Sequence, residues 1–377
     1  MSTLTIISHT EHYKKPDGTI VGLGPTVTEI NHLLEIFEAI IHVGMLHTVS
    51  APSSALPYAS NKITFVPLPA VGGTNLRSKL DIIWKAPKII GIIKKALRTS
   101  DYFQFRAPTG IGVFVIPYLV LFSNHKGWYK YAGNWKQENA PLAYSFQRWL
   151  LKKQKQKVTI NGKWNDQPSH CLTFENPCLT QDELTEGHDV IKKKQFNSEA
   201  VDFCFIGRLE EEKGIGILIH AFKALDISDQ NRIGSIHIVG DGKLHEYYRQ
   251  QTVDSKLNFI FHGYLSREDV HHIYNVSHAI ILPSASEGFP KVISEAMNYG
   301  CLPIVSDVSS ISNYVIDDKN GFLLSEITET GLKVKIQKML HLSDVIFSRM
   351  IASNDSNIYK FTYSYYNHRI KSEILSI

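Results

Sequence analysis

Short apolar runs alternate with amphipathic segments along the chain. Residues 4–7, 63–67, 202–209 and Ala279–Leu282 have the length and apolar content of buried strands. Segments with the apolar spacing of a helix follow several of these runs. Strands that alternate with helices predict parallel sheets covered by helices on both faces, so the pattern predicts an α/β fold.

The same pattern predicts the other elements. Further strands are expected at 101–106, 126–133, 158–160, 171–175, 235–242, 257–265 and 301–307. Helices are expected at 29–40, 76–98, 107–122, 217–225, 243–253, 267–277 and 310–316.

A polar, charged stretch divides the chain. It runs from about 178 to 199 and includes three consecutive lysines at 192–194, a composition typical of a connecting segment. At 377 residues the chain is long enough for two cores. We therefore predict a first domain at 1–180, a linker at 181–199 and a second domain at 200–359. Open parallel sheets bind ligands at the carboxyl ends of their strands, where the polar clusters fall.

The composition is that of a globular protein, with 43% apolar and 20% charged residues. The four cysteines form no Cys-x-x-Cys pair, so we expect reduced core residues rather than disulfides or metal ligands. The first ten residues have a strand pattern without a basic segment, and the longest apolar run, 107–122, is too short to span a bilayer. These features predict a cytoplasmic protein.

The net charge of +4 conceals an asymmetry between the two halves. Residues 1–198 carry 23 Lys and Arg against 14 Asp and Glu, whereas residues 199–377 carry 17 against 22. Two basic segments with tryptophans, 76–98 and 148–157, are either packed surface helices or peripheral contacts with an anionic membrane. Their aromatic and basic residues do not interleave as in a nucleic-acid groove, so no nucleic acid is expected.

The most informative stretch is 279–300, AIILPSASEGFPKVISEAMNYG, which predicts a buried strand, a tight loop and a helix. Pro290 suits the first helical position and Gly300 suits the helix end. The start of such a helix presents unpaired N–H groups and partial positive charge to an anion. Glu287 and Glu295 flank that position, an arrangement that matches the sugar, diphosphate and ribose of a nucleotide sugar.

Two cations follow the first strand of the second domain, Arg208 and Lys213 in GRLEEEKG. Arginine offers a fork to phosphate and lysine a point charge, so the pair can neutralise a diphosphate. The chain contains no Asp-x-Asp and no His/Glu spacing typical of a metal site, so neither a metal nor another cofactor is expected. Taken alone, Arg208 fits a strand-end salt bridge equally well, and Glu295 fits a surface helix residue equally well. The combination, in this order and spacing, favours the donor site.

Four segments, FIGRLEEEKG, IVGDG, FHGYLSREDV and LPSASEGFPKVISEAMNYGCLPIVSD, resemble in order and spacing the donor domain of the retaining GT-B glycosyltransferases of family four. The resemblance is specific over about 205–325 and covers the first half only in outline. It implies a GT-B fold, two Rossmann-like parallel-sheet domains facing across a cleft. It also implies an acceptor-binding first domain, completed by a C-terminal helix at about 360–377, and a donor-binding second domain.

The resemblance assigns roles to individual residues. Arg208 and Lys213 would bind the donor diphosphate and, with Glu287 on the sugar hydroxyls, would support catalysis. Glu295 would bind the ribose. The resemblance further implies donor contacts at Gly288, Phe289, Pro290, Lys291 and Val292, base contacts at Tyr264 and Leu265, and a looser phosphate contact at a loop containing Gly22 and Gly24.

On the acceptor side the chain departs from the family. Many members place a histidine beside the anomeric carbon, but the matching position here is Asn134, and His125 lies before the strand. We assign no catalytic base, because front-face displacement lets the leaving phosphate take the acceptor proton. Arg106 either grips an acidic acceptor or forms a structural ion pair.

The sequence therefore predicts a metal-independent, retaining glycosyltransferase. It would transfer a sugar from a UDP- or GDP-sugar to a glycan or lipid-linked glycan. The alternatives are a sugar-nucleotide epimerase or hydrolase, and a non-catalytic subunit that binds a nucleotide sugar.

Overall fold

The computed structural model describes residues 2–73 and 81–375. The chain divides into two compact units. Unit 1 comprises the described residues of Met1–Glu175 and Tyr363–Ile377, and unit 2 comprises Asn176–Thr362. Each unit has its own sheet and hydrophobic core, so we describe them separately.

Unit 1 contains nine strands within its described residues, and seven of them run parallel in the order β5-β3-β1-β6-β7-β8-β9. The short β2 is antiparallel both to the end of β1 and to β4. The strands are β1 (Thr3–Lys14), β2 (Ile20–Leu23), β3 (Ala39–His47), β4 (Ala55–Pro57), β5 (Ile63–Pro69), β6 (Tyr102–Ala107), β7 (Lys126–Tyr131), β8 (Lys157–Ile160) and β9 (Cys171–Thr173).

Helices pack on the sheet of unit 1 and bury their apolar stripes there. Ile89 and Ile93 of the second helix are fully buried, as are Val115 and Ile116 of the third. The helices before Glu175 that lie wholly within described residues are α1 (Gly24–Leu33), α2 (Ala86–Leu97), α3 (Gly112–Leu121) and α4 (Leu142–Lys153).

Unit 2, all of whose residues are described, has a six-stranded parallel sheet in the order β12-β11-β10-β13-β14-β15. Its strands are β10 (Val201–Ile206), β11 (Ile233–Val239), β12 (Phe259–Gly263), β13 (Ala279–Leu282), β14 (Leu302–Ser306) and β15 (Phe322–Leu324). Its helices are α5 (Gln181–Lys193), α6 (Ile215–Lys223), α7 (Ile227–Gln230), α8 (His245–Gln250), α9 (Arg267–Val276), α10 (Lys291–Asn298), α11 (Glu329–Leu340) and α12 (Asp344–Ile358).

The C-terminal segment belongs to unit 1. Helix α13 (Tyr363–Arg369) continues as a π-helical turn, Ile370–Leu375. Tyr366 and Ile370 join the core of unit 1, and the Asn367 amide donates to the carbonyl of His32 at 2.7 Å.

The predicted linker is wrong, because residues 181–193 form helix α5 of unit 2. Thr180 and Glu183 form a capping box at its start, and Leu184 and Gly187 are buried against the unit. The other side chains of this helix are mostly polar and outward, which made the segment resemble a linker. The boundary between the units lies instead at Glu175 and Asn176.

The helix predicted at 29–40 is also misplaced. Helix α1 begins at Gly24 and ends at Leu33, and residues from Ala39 onward form β3. Residues 40–43, three of which are β-branched, pair with β1 and β5, and this sheet pairing overrides the helical spacing. The glycines of the predicted phosphate-binding loop also lie in regular elements. Gly22 lies inside β2 and Gly24 begins α1, so neither belongs to a loop.

Several smaller predictions also changed. Pro290 is the N-cap residue of α10 rather than its first helical residue, and the helix expected at 310–316 is one 3-10 turn, Ile311–Asn313. The helix predicted at 76–98 is interrupted: residues 81–84 are helical, Lys85 forms a turn, and Pro87 lies in the first turn of α2. Residues 76–80 of that prediction lie outside the described residues. The apolar run at 107–122 forms strand end and helix, with Leu121 and Phe122 exposed.

Candidate functional site

Lys213 and Glu287 meet at the carboxyl edge of the unit 2 sheet. Lys213 ends the 3-10 turn Glu211–Lys213 that follows β10, and Glu287 lies in the loop after β13. Because β10 and β13 are adjacent parallel strands, their following loops lie side by side. The Lys213 ammonium donates to Glu287 Oε1 in a charge-assisted hydrogen bond, and both side chains are largely buried.

A glycine turn fixes this arrangement. Gly214 has φ +76°, and a Cβ on it would lie 2.3 Å from the Pro283 carbonyl oxygen, so no other residue fits without rearrangement. The Ala285 amide also donates to the Glu212 carbonyl at 2.9 Å. The turn that carries Lys213 and the loop that carries Glu287 are therefore joined through their backbones.

Helix α10 starts beside this ion pair. Pro290 is its N-cap and provides no side-chain cap, so the first N–H groups are not satisfied by a capping side chain. The Ser310 hydroxyl donates to the Gly288 carbonyl at 3.1 Å, and the Phe289 ring stacks on Phe361. These contacts hold the loop before the helix, whose partial positive charge suits an anion.

Glu295 lies in the second turn of α10, and its side chain is only 10% exposed. Its Oε1 accepts from Arg267 Nη1 at 2.9 Å, and the Tyr274 hydroxyl approaches Oε2 at 3.4 Å. Arg267 also donates hydrogen bonds to both carboxylate oxygens of Glu183. Burial by itself raises the pKa of the Glu183 carboxyl, but the hydrogen bonds and charge of Arg267 outweigh it, and the pKa is lowered.

The remaining predicted donor residues occupy the same edge or flank it. Arg208 follows β10, pairs with Glu210 at 3.1 Å, and has a 72% exposed side chain. Tyr264 is exposed after β12, next to Gly263 with φ +67°, and Leu265 packs against the core. Phe289 is buried, whereas Lys291 and Val292 are partly exposed.

The sequence analysis missed Arg267 and Glu183. Arg267 follows a helix N-cap, Ser266, and gave no motif signal of its own. Glu183 carried a usable signal, because Thr180 and Glu183 have the spacing of a capping box. Recognising that box would have predicted helix α5 in place of a linker.

The acceptor-side candidates lie in unit 1. Arg106, at the end of β6, forms an ion pair with Glu29 at 2.8 Å, and Lys130 of β7 pairs with the same carboxylate. Glu29 and Lys130 are nearly fully buried. The contacts of Arg106 therefore favour the structural ion pair over a grip on an acidic acceptor. Asn134 Oδ1 accepts from the Lys136 amide at 2.9 Å, a local turn contact.

Gly22 and Gly24 serve the packing of unit 1. A Cβ on Gly22 would lie 2.5 Å from the His12 ring, and one on Gly24 would lie 2.8 Å from the Ser54 carbonyl oxygen. The four cysteines are buried and free. Among residues 2–73 and 81–375, no group of three or more His, Cys, Asp or Glu side chains has the geometry to hold a metal ion.

Comparison with known proteins identifies the family of this site. Residues 188–355 match the model for glycosyl transferases group 1. Most of unit 2 is therefore similar to this family. The matched region contains Arg208, Lys213, Glu287, Glu295 and Arg267, whereas Glu183 lies just before it.

The curated relatives named here match less than half of the chain. An uncharacterized glycosyltransferase of Methanocaldococcus jannaschii is 30% identical over 154 residues, 40% of this chain and 42% of that protein. A lipopolysaccharide 1,2-N-acetylglucosaminetransferase of Salmonella typhimurium is 30% identical over 146 residues, 36% of this chain and 38% of that protein. The match therefore spans about two fifths of the length of these curated relatives.

Solved structures match over the full length. HepE of Anabaena, crystallised with UDP, is 15% identical, with a TM-score of 0.69 and 100% of both chains covered. At this identity the likeness establishes the fold alone. The fold is GT-B, with two parallel-sheet α/β domains, which confirms the predicted fold class.

Proposed function

We propose that this group 1 glycosyltransferase moves a sugar from a UDP- or GDP-sugar to a glycan or lipid-linked glycan, with retention and without a metal. One observation carries the proposal: the Lys213–Glu287 ion pair beside the N-terminus of α10, which no side chain caps. The Lys213 ammonium, the Arg208 guanidinium and the helix N-terminus would share the charge of the diphosphate. Glu287 would accept hydrogen bonds from the sugar hydroxyls.

The charges suit a front-face displacement. The bond from the anomeric carbon to the phosphate oxygen breaks, and the acceptor oxygen bonds to the same face of that carbon. The acceptor proton passes to the departing phosphate oxygen, so the step needs no protein nucleophile and no catalytic base. Lys213 and Arg208 would stabilise negative charge as it develops on the leaving diphosphate.

The relatives support the donor and acceptor classes. One structural neighbour holds UDP, and one sequence relative is named for transfer of N-acetylglucosamine in lipopolysaccharide. We extend both to this chain as proposals, a nucleotide-sugar donor and a glycan or lipid-linked acceptor.

We further propose that unit 1 contacts an anionic lipid surface on the inner face of the membrane. No helix in the described part of the chain is both long and apolar enough to span a bilayer. Unit 1 nevertheless exposes large apolar side chains on and beside α2, α3 and α4, accompanied by lysines, a combination suited to an interface. The apolar residues are Ile83, Trp84, Leu121, Phe122, Leu142 and Trp149.

A ligand screen tests the donor site. UDP, GDP and their common sugar conjugates are added to the protein, and the melting temperature is recorded. Either the UDP compounds or the GDP compounds should raise the melting temperature, since a ligand that binds only the folded state stabilises that state. Lys213→Ala should abolish the shift, whereas Lys192→Ala, which removes an exposed lysine of the same unit, should not. Absence of any shift in the wild-type protein would contradict the proposed function.

Product analysis separates the alternatives. The donor selected by the screen is incubated with candidate glycan acceptors, with and without EDTA, and the products are identified by mass and by NMR of the anomeric proton. A glycosyltransferase extends the acceptor with the donor's anomeric configuration, and EDTA leaves the rate unchanged. Epimerised or hydrolysed donor without an extended acceptor would favour the enzymatic alternative, and binding without turnover would favour the non-catalytic subunit.

A further inference from the structure

Arg267 occupies an electrostatically unfavourable position for a cation. It is the first residue of α9, where the helix dipole disfavours positive charge, and Glu268 and Asp269 are the acidic residues of that turn. The Arg267 side chain turns to acceptors on two other elements. Its position is therefore set by long-range partners rather than by its own helix.

Two hydrogen bonds to the Glu183 carboxylate fix the plane of the Arg267 guanidinium. Nε donates to Glu183 Oε1 at 2.6 Å, and Nη2 donates to Glu183 Oε2 at 2.9 Å and to the Cys178 carbonyl. Glu183 is itself held by its capping box, in which its Oε2 accepts from the Thr180 amide at 2.8 Å. The start of α5 thus orients Arg267.

The third guanidinium nitrogen faces Glu295. Nη1 donates to Glu295 Oε1 at 2.9 Å, which gives a nearly buried carboxylate a charged partner. The other oxygen has the Tyr274 hydroxyl at 3.4 Å, longer than a typical O–H···O bond. Arg267 therefore anchors one oxygen of the carboxylate, and the second has capacity for further donors.

We propose that Arg267, held by Glu183, is a positioning residue that orients Glu295 toward the ribose hydroxyls of the donor nucleotide. The inference rests on the proposed function, because it takes the ribose as the group that Glu295 binds. Three elements of unit 2 contribute, α5 through Glu183, α9 through Arg267 and α10 through Glu295. The helix that resembled a linker in sequence thereby becomes part of donor recognition.

The test measures discrimination between ribose and deoxyribose. Dissociation constants are determined for whichever of UDP and GDP binds more tightly, and for its 2′-deoxy form. The wild-type protein should prefer the ribonucleotide by about tenfold, since the deoxy form leaves a buried charged acceptor without its donor. Arg267→Met should reduce this ratio to about twofold or less, and Arg267→Lys should give an intermediate ratio.

Matched variants keep the outcome interpretable. Arg249→Met makes the same change at an exposed arginine of α8 and should retain the wild-type ratio. Glu183→Gln should lower the ratio by weakening the fork, so it tests the inference even if Arg267→Met fails to fold. A purely structural role would weaken both nucleotides equally, and an unchanged ratio in folded Arg267 and Glu183 variants would overturn the inference.

Glu295→Gln separates this inference from the function on which it rests. If Glu295→Gln removes the discrimination and the Arg267 variants retain it, the positioning role alone is wrong. If the wild-type protein binds neither nucleotide, or Glu295→Gln leaves the ratio unchanged, the proposed ribose site itself is wrong.

Discussion

Lys213 and Glu287 lie 74 positions apart in sequence and form one hydrogen-bonded ion pair. The Lys213 ammonium neutralises a carboxylate that burial would otherwise penalise. In the absence of a ligand, the Glu287 carboxylate accepts a hydrogen bond from that ammonium. A diphosphate entering the site would compete with Glu287 for Lys213. In the proposed function, the same pair would set both nucleotide affinity and sugar placement.

Glu287→Gln should separate these two effects. Removing the carboxylate charge should tighten binding of the nucleoside diphosphate by about fivefold, because a nearby like charge is lost. Transfer should fall by about a hundredfold or more, because the sugar hydroxyls lose a charged acceptor. Calorimetry and initial rates measure the two quantities.

Glu246→Gln is the control for this change, since Glu246 pairs with Arg249 at 4.0 Å on an exposed surface. It should alter neither quantity measurably. If Glu287→Gln weakened nucleotide binding in parallel with the rate, the ion pair would not compete with the diphosphate as we infer.

At the scale of elements, turns between strands and helices position the site. Gly214 ends the 3-10 turn that carries Lys213 and is at the same time the residue before α6. Its left-handed backbone and its contact with Pro283 leave no room for a side chain. Gly216, two positions later, lies inside α6, where a Cβ would meet only the Tyr248 ring at 3.5 Å.

These two glycines provide a matched pair of substitutions. Gly214→Ala should destabilise unit 2 by about 1–3 kcal/mol and weaken nucleotide binding, since it strains the backbone that carries Lys213. Gly216→Ala should be neutral or stabilise by up to about 1 kcal/mol, because alanine favours the helix. Hydrogen exchange in β10 and β13 measures the change, and equal effects of the two variants would contradict the role of the turn.

A buried chain of hydrogen bonds joins β1 to β3 in unit 1. His12 Nδ1 donates to the Thr10 carbonyl at 3.0 Å, so its Nε2 accepts from the Tyr58 hydroxyl at 2.9 Å. Tyr58 in turn accepts from His42 Nδ1 at 2.6 Å, and His42 Nε2 accepts from Ser8 at 2.7 Å. One carbonyl thus fixes both histidines as neutral tautomers.

Acid should therefore destabilise unit 1. Burial lowers the pKa of His12 from 6.5 to about 4 and that of His42 further. Because the unfolded chain takes up these protons first, stability is complete above pH 6.5 and is lost as the pH falls toward 4. The His12 contribution alone is about 3 kcal/mol.

Urea unfolding followed by tryptophan fluorescence measures this effect, since all five tryptophans belong to unit 1. The free energy of unfolding should fall between pH 7 and pH 5. His12→Gln should flatten that dependence, whatever its effect at pH 7, and His125→Gln, at a half-exposed position, should retain it. A wild-type stability that is unchanged between these pH values would rule out the buried histidines as its source.

Across the whole molecule, the difference in net charge is larger between the two units than between the two halves of the sequence. The residues of unit 1 include 22 Lys and Arg against 11 Asp and Glu, and those of unit 2 include 18 against 25. Positive charge and exposed apolar side chains coincide on unit 1. In the proposed membrane contact, the positive charge would favour an anionic lipid surface over a neutral one, and the exposed apolar side chains would add affinity for either.

Vesicle sedimentation tests this surface. Wild-type protein should bind vesicles that contain anionic lipid at low salt, and the binding should weaken as salt screens the charges. Replacing Phe122 and Trp149 by serine should reduce binding several-fold, because both side chains are exposed on unit 1. The same change at exposed Ile227 and Val253 of unit 2 is the control. No affinity for anionic vesicles would contradict the membrane contact.

The sequence by itself determined what local pattern controls. The alternation of strands and longer helices from β10 to β14, the α/β class and the donor motifs follow from periodicity and from residues close together in the chain. Strand β15 and helices α5, α7, α11 and α12 were not predicted. Unit 1 was harder, since residues 39–47 adopt a strand only because two neighbouring strands pair with them. Local spacing extended the helix predicted at 29–40 into the first two residues of this strand.

Only the tertiary structure decided which charges meet. Arg267 binds Glu183 and Glu295 across 84 and 28 positions, and Arg106 binds Glu29 across 77. The local sequence does not predict these contacts, because the pairing of parallel strands brings together loops that are remote along the chain. The sequence thus defined the helix N-terminus and its two glutamates, and the fold supplied the partners that orient them.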